Sequence, residues 1–416
     1  LVRAVIRFPV SIIGGGLSGL MCGIRLQSNG ARCAIVSTGQ SALHFWSGSF
    51  DLLNRLPDGT PVEQPEKAVG ALPAGHPYAR LGKKFAHYAH IARETLAQCG
   101  VTVRGEMERN HLHFTPMGTL KPTWLTSSDF NTYRSAEELR GQRIRILNFA
   151  GFLDFNTAFV AEALESCGAQ CTAGSLSIAE IDRLRTNPTE MRAVHIARVL
   201  DRPEVFGRFL EMVKRHAAEA DIVVVPALFG LDSEEPVRQL REAVPAAAPI
   251  PTMPPSVAGI RTQQQLRRAF ERLGGLFMPG DTAIGAEIRE DRVRQIRTAN
   301  HGEVALQADN YVLASGSFFS KGLVAGMTRI AEPLFDLDVA FDTDRTAWYD
   351  PHFFHRQNYI SYGVAVDEEF RARKQDRTIE NLYVTGSVLG GFDPIREGCG
   401  AGVAMLTALH VADKMK

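Results

Sequence analysis

The stretch Val10–Ser11–Ile12–Ile13–Gly14–Gly15–Gly16–Leu17–Ser18–Gly19 decides how this chain is read. Val10–Ile13 is a short apolar strand, and Gly14–Gly19 is a G-x-G-x-x-G turn. Leu17, Leu20, Met21, Ile24 and Leu26 recur at helical spacing until Asn29–Gly30 stops the helix. Cys33–Val36 is a second strand. A glycine turn between strand and helix opens the βαβ unit of a dinucleotide-binding fold. Gly14 permits the tight turn, Gly16 lets backbone approach a phosphate, and Gly19 lets the helix pack on the strand. The helix start offers unpaired N–H groups to an anion. Gly14, Gly15, Gly16, Leu17, Ser18 and Gly19 are therefore the first candidate cofactor residues.

An acid that grips an adenosine ribose belongs at the end of the second strand, roughly 20 residues on. The sequence there is Ile35–Val36–Ser37–Thr38–Gly39. Ser37 can donate one hydrogen bond but cannot hold two hydroxyls as a carboxylate does. This favours FMN, which has one phosphate and no second ribose; FAD held by other groups is the alternative. Ser47, Gly48 and Ser49 follow, with hydroxyls and amides to place beside the phosphate turn. Phe45 and Trp46 either wall an aromatic ring or pack in the core.

The pattern returns late in the chain. Tyr311–Ala314 is an apolar strand ending in Ser315–Gly316, and Asn381–Thr385 is another, closed by Gly386–Ser387. Flavoproteins usually end that last strand in Gly-Asp; here Ser387 stands in place of the Asp. Gly400, Ala401 and Gly402 lead into a final helix, Val403–Lys414. Its N-terminus would stabilise negative charge on a reduced flavin. The fold expected is a two-dinucleotide-binding-type, Rossmann-like α/β flavoprotein fold with an inserted α/β cap domain. Its parts are 1–56 (flavin-binding, first part), 57–256 (inserted substrate, cap or interface domain) and 257–416 (flavin-binding, second part). In the insert, Arg143–Leu147 and Ile222–Val225 read as strands, and Phe155–Ser166 and Arg208–Glu219 as helices. Pro249, Pro251, Pro254 and Pro255 read as a rigid hinge. Arg292–Thr298 and Val304–Ala308 read as a hairpin pair.

Composition narrows the chemistry. A length of 416 residues predicts more than one lobe, and 45% hydrophobic residues exclude disorder. Net charge is +0, which gives no field for nucleic acid or anionic lipid. No run nears the roughly 18 apolar residues of a membrane span. Arg3 and Arg7 lead straight into a strand and a glycine turn, so no secretory signal is expected. The six cysteines, Cys22, Cys33, Cys99, Cys167, Cys171 and Cys399, form no Cys-x-x-Cys group, so neither an iron–sulfur cluster nor another metal is expected in this chain.

Catalytic groups are harder to assign. Arg192, His195 and Arg198 share a helical face by i, i+3 spacing; they hold a substrate phosphate or form a solvated patch, and the patch is favoured. His301, His44, Arg261 and Arg396 are further candidates. A base must take a hydroxyl proton as hydride leaves for a flavin, and the twelve histidines offer no way to choose.

Several further motifs carry a resemblance. They are Gly-Gln-Ser-Ala-Leu-His-Phe at 39–45, Ser-Gly-Ser-Phe-Asp-Leu-Leu at 47–53, Thr-Glu-Met-Arg-Ala-Val-His-Ile-Ala-Arg at 189–198 and Pro-Pro-Ser-Val-Ala-Gly-Ile-Arg at 254–261. Leu-Ala-Ser-Gly-Ser-Phe-Phe-Ser at 313–320 and Gly-Ser-Val-Leu-Gly-Gly-Phe-Asp-Pro-Ile at 386–395 complete the set. With the glycine turn, they resemble the B subunit of the bacterial anaerobic glycerol-3-phosphate dehydrogenases across nearly the whole chain; the residues before Arg7 look like an extension. The resemblance implies an FMN protein paired with a larger, FAD-containing catalytic A subunit. An iron–sulfur C subunit would anchor the pair to the cytoplasmic face of the inner membrane. The complex would oxidise glycerol 3-phosphate to dihydroxyacetone phosphate and pass electrons to quinone, then to fumarate or nitrate. Two other readings stay open: an independent FAD oxidoreductase of fumarate-reductase type, and a non-catalytic scaffold with a degenerate flavin fold.

Overall fold

The computed structural model describes residues 5–415; Arg3 lies outside the described residues. The chain divides into two compact units. One holds the chain up to Ala42, Asp51–Val101 and everything from Gln265; the other holds Leu43–Phe50 and Thr102–Gln264. The expected boundaries at 56/57 and 256/257 are thus redrawn. Residues 57–101 join the first unit because the helix Phe85–Gln98 buries Phe85, Tyr88, Ala89, Ala92 and Leu96 there. Its Tyr88 ring meets His410 edge-on at 5.3 Å.

The first unit is built on one sheet. In chain order its elements are β1 (Val5–Ile13), α1 (Leu17–Ser28), β2 (Cys33–Ser37) and α2 (Phe85–Gln98). Then come β3 (Leu276–Pro279), β4 (Ala283–Arg289), β5 (Arg292–Thr298) and β6 (Ala305–Leu313). The last are β7 (Arg371–Lys374), β8 (Arg377–Val384) and α3 (Gly400–Lys414). The strand order is β3-β2-β1-β6-β5-β4, with β8 pairing both β6 and β7. β3, β2, β1, β6 and β8 run parallel. Ile13 pairs with both Val36 and Leu313, and Leu313 with Val384. The register therefore brings the carboxyl ends of β1, β2, β6 and β8 to one edge. This is where open α/β sheets bind ligands. Such strands are apolar throughout because helices cover them: Ile12, Ile35, Val312 and Leu382 are fully buried. α3 is core as well, with ten of its fifteen residues buried.

One expectation changes here. Residues 305–308 and 311–313 belong to a single strand, β6, rather than two. The expected hairpin pair holds: β5 runs antiparallel to the next strand, β6, with Ile296 opposite Leu306, and a further hairpin joins β4 to β5, turning at Glu290–Asp291, both with positive φ.

The second unit has its own four-stranded, all-parallel sheet in the order 247–250, 222–226, 143–149, 170–176. Helices Thr157–Ser166, Pro203–Ala217 and Glu235–Ala243 occur between successive strands. Asn156 caps the first by accepting the Ala158 and Phe159 amides. The second buries Val205, Phe206, Phe209 and Val213, one face at helical period. Pro249 is not in a hinge. It sits in the edge strand opposite Val225, where a missing N–H is tolerated. Together the two units make the Rossmann-like flavoprotein fold with an α/β insertion.

Candidate functional site

Three turns converge at the carboxyl edge of the first unit. The turn after β1 is closed by Gly14, whose φ is +119° and whose added Cβ would stand 2.1 Å from the Ala314 carbonyl oxygen. No L side chain fits there. Gly15 lies against Ser37: an added Cβ would meet Ser37 Oγ at 2.4 Å. Gly19 closes on the Gly14 carbonyl oxygen in the same way. Gly16 is different. Its added Cβ meets only Ser41 Cβ, at 3.6 Å, an ordinary contact. Protein packing thus explains three of the glycines and does not explain Gly16. Gly16 is also the N-cap of α1, with no side-chain cap and no acid in the first turn. An uncapped, acid-free helix start with only Ser41 beside it fits a phosphate group.

The other two turns complete the edge. Ser18 does not aim its hydroxyl outward; it donates to Thr385 Oγ1 at 2.8 Å and ties α1 to the end of β8. The Gly386 amide donates to Thr407 Oγ1 on α3. Ser387 Oγ lies 3.8 Å from where a Cβ on Gly316 would sit. Ser315 Oγ is buried and has no hydrogen-bond partner among the described residues. An orphaned hydroxyl at this edge is a second feature that fits a polar ligand. Gly14–Gly19, Ser37, Ser315, Gly316, Gly386 and Ser387 therefore share one edge.

Two groups of sequence candidates are placed differently. At the start of α3, the Gly402 amide donates to the Asp51 carbonyl and the Val403 amide to Cys399. Tyr78 Oη and Leu52 fill the space above Gly402, and Pro394 the space above Gly400. Ala401 between them is half-buried. Gly402 is thus closed by protein, and its amide is already taken. Ser47, Gly48 and Ser49 belong to the second unit. Gly48 is glycine because the Phe130 ring stands 2.1 Å from an added Cβ. Ser49 pairs with Thr126 in a short strand, and the Ser47 carbonyl accepts from His113 Nε2 at 2.8 Å. Trp46 packs on Phe50 and donates to the Ser49 carbonyl, while Phe45 is exposed.

The catalytic candidates are mostly engaged within the protein. Arg261 is buried, paired with Asp129 and bonded to the Gly230 carbonyl. Arg192 is half-exposed and pairs with Asp154 at 3.2 Å; it precedes the helix Ala193–Leu200 as its N-cap. His195 lies 3.0 Å from Glu190, and Arg198 is exposed. The His44 carbonyl accepts the Ser256 amide, and burial pushes its imidazole below the usual range. His301 Nδ1 faces Asp281 at 2.9 Å and Thr298 at 2.8 Å. Arg396 is exposed, in the loop before α3, and its amide is held by Asp393.

The FAD binding domain family matches residues 10–403. The B subunit of the anaerobic glycerol-3-phosphate dehydrogenase of Yersinia enterocolitica is 43% identical over 98% of both chains. The same-named protein of Pectobacterium atrosepticum is 44% identical, again over 98% of both. This chain belongs to the family of anaerobic glycerol-3-phosphate dehydrogenase B subunits. Among solved structures, a chain of E. coli quinol fumarate reductase aligns with 99% of this chain and 70% of its own length, at 8% identity and a TM-score of 0.45.

Two features of this family member escaped sequence reading. The first lies at the end of β2, where no ribose-binding acid was found. A carboxylate does arrive there from elsewhere: the Asp281 amide donates to the Ser37 carbonyl. Its side chain is buried and turned inward, accepting from the Thr282 and Asn300 amides and facing His301. Burial alone would push this carboxyl up; the hydrogen bonds from Thr298, Asn300, His301 and Thr282 outweigh it and hold it below the usual range. Asp281 is thus committed to the protein.

The second is a buried cluster, His76, Glu397 and Cys399, beside the start of α3. His76 Nδ1 accepts the Tyr78 amide at 3.0 Å, so the proton sits on Nε2, which donates to Glu397 at 3.1 Å. The other Glu397 oxygen accepts the Asp393 amide, and its carbonyl accepts the Asn54 and Arg55 amides. A metal-bound imidazole donates from its second nitrogen; here that nitrogen accepts. Burial also holds the Cys399 thiol protonated, well above its usual pKa. The cluster is built as a hydrogen-bonded clamp on the loop, and its donor set does not suit a metal. Partners 321 positions apart carry no local signal that would have revealed it.

Proposed function

We propose that this chain is the flavin-carrying subunit of a complex that oxidises sn-glycerol 3-phosphate to dihydroxyacetone phosphate. The observation that carries this reading is the uncrowded Gly16, on an uncapped helix start at the carboxyl edge of the sheet. A flavin bound there supplies two-electron redox chemistry. The amides at the start of α1 would hold its phosphate, and Ser315 and Ser387 would offer hydroxyls along the edge. Ser18 and Thr385 fix the spacing between the turns of β1 and β8.

FMN is the proposed form. Ser37 packs on Gly15 and Asp281 is bound inward, which leaves no carboxylate for a second ribose at the end of β2. The match to an FAD binding domain family favours FAD as the second reading. The proposed partners are an FAD-containing catalytic A subunit, and an iron–sulfur C subunit that attaches the assembly to the cytoplasmic face of the membrane. Quinone is the proposed acceptor, ahead of fumarate or nitrate. No helix among the described residues is long and apolar enough to cross a membrane, so attachment through a partner is the consistent arrangement.

The test is reconstitution. Complexes with wild-type or Gly16→Ala chain are assayed for glycerol 3-phosphate-dependent quinone reduction. Loss of reduction together with loss of one flavin supports the proposal. Full activity without that flavin supports the scaffold reading, and turnover by the isolated chain supports the independent oxidoreductase.

A further inference from the structure

Between β6 and β7 the chain leaves the sheet for a long excursion, residues 317–362, made of short pieces. Val324–Ala325 pairs with Ile330–Ala331, and single turns form at Phe318–Ser320, Arg345–Ala347 and Asn358–Ser361. One end springs from the candidate site, and the other is held by the loop that leads to α3. The excursion begins directly after the Ala314–Gly316 turn and returns where the Ser361 carbonyl accepts the Gly391 amide.

This segment displays large apolar side chains to solvent. Met327, Phe353 and Phe354 are each more than 80% exposed, and Phe319, Tyr349 and Tyr359 are also exposed. The display is built rather than loose. Trp348 is buried at its centre, with the Arg345 guanidinium 4.8 Å over its ring. Arg345 also donates to the Gly326 carbonyl, and the Trp348 carbonyl accepts the Tyr359 amide. The Phe318 ring meets Tyr359 edge-on. Gln357 laces the tip, accepting the Asp350 amide and donating to the Asp350 and His352 carbonyls.

Single exposed apolar residues are ordinary; a joined patch of them marks an interaction site. Phe353 and Phe354 meet edge-on at 5.3 Å, and at ~200 Å² per fully exposed aromatic side chain the six side chains of this segment together expose about 800 Å², the share one partner contributes to a standard interface. Aromatic residues, Met and Arg are the types enriched in interface cores. The exposed rim mixes Arg345 and Arg356 with Asp342 and Asp344. Such a rim gives no net positive field to draw an anionic lipid surface.

We propose that residues 317–362 are the docking surface for a different polypeptide of the same complex, one presenting a mainly apolar face. Docking there seats that polypeptide on the excursion that springs from the flavin edge. The inference rests on the reading that the chain works within a complex.

The test uses the full chain with Phe353→Ser and Phe354→Ser together, co-expressed with the other subunits and followed by affinity purification and titrated assembly. Leu153→Ser, an equally exposed residue of the second unit, is the control. The expected result is a folded double variant that retains flavin, assembles about 100-fold more weakly and remains monomeric alone, while the control assembles normally. Assembly at wild-type affinity by the double variant overturns the surface and leaves the complex reading standing. A wild-type chain that forms no complex at all overturns both. Phe-dependent self-association, or Phe-dependent binding to phosphatidylethanolamine–phosphatidylglycerol vesicles without a partner, assigns the patch to another occupant and also overturns the proposal.

Discussion

Replacing Gly16 by alanine separates what the glycine turn does for the fold from what it does for a ligand. Gly16 has φ −83° and ψ −169°, extended backbone open to any residue. The new methyl meets only Ser41 Cβ at 3.6 Å. Stiffening the unfolded chain contributes about 0.4–1 kcal/mol, and a poorer N-cap costs about the same. The stripped protein should therefore keep its stability within about 1 kcal/mol. The same change at Gly14 drives a methyl to 2.1 Å from the Ala314 carbonyl oxygen at φ +119°, and the fold should suffer. A bound phosphate inverts this order. A methyl at Gly16 occupies the space through which phosphate oxygens reach the helix amides. Losing one such charge-assisted hydrogen bond costs roughly 1.5–3 kcal/mol, or about 10–150-fold in flavin affinity. At a flavin concentration of about 100 times the wild-type Kd, the stabilisation by ligand falls from ~2.7 kcal/mol to about 0.3–1.4 kcal/mol. The assay pairs thermal unfolding with and without added FMN with fluorescence titration of the stripped chain. Flavin binding at wild-type affinity by the Gly16→Ala chain would mean that no phosphate reaches these amides.

Other perturbations probe the surroundings of the turn and the second unit. Ser315→Ala removes a buried hydroxyl without a partner, so the stripped chain should be unchanged or up to about 1 kcal/mol more stable, while titration shows weaker flavin binding. Arg261→Leu strips the charge from a buried pair and leaves Asp129 uncompensated; urea unfolding of the second unit should show a loss of about 3–5 kcal/mol, with flavin content unchanged. Burial pushes the imidazoles of His113 and His410 down to about 3 and about 4. Their folded-state pKa values lie below the unfolded one, so the stability they contribute is complete above pH ~6.5 and is lost as pH falls toward those values. Each should add a slope of about 1.4 kcal/mol per pH unit in that window. His410→Phe should flatten the first unit's share of the slope, read by urea unfolding between about pH 6.5 and about pH 4.

What could be read early was local. The turn at 14–19 carries its meaning within six residues, and its strand–helix context lies beside it. The endings at Ser315–Gly316 and Gly386–Ser387 were also legible, because a strand running into small residues has a local pattern. Their convergence depends on Ile13 pairing with Leu313, a register that no window of sequence contains. The unit boundaries were missed for a related reason. The helix Phe85–Gln98 shows helical periodicity, but nothing in it says that it packs beside His410. The α3 start looked like a ligand site because glycines there resembled glycines elsewhere. They are small because Tyr78, Leu52 and Pro394 stand over them. Arg261 looked catalytic by residue type alone, and only its burial beside Asp129 shows a structural task.

Everything proposed for the site depends on a flavin held by the glycine turn of this chain. It is tested by denaturing the purified, subunit-resolved chain, then identifying and quantifying the released flavin by chromatography. The wild type should release one FMN per chain and Gly16→Ala clearly less than one. A wild-type chain that carries no flavin, or a Gly16→Ala chain that keeps a full equivalent, contradicts the proposal.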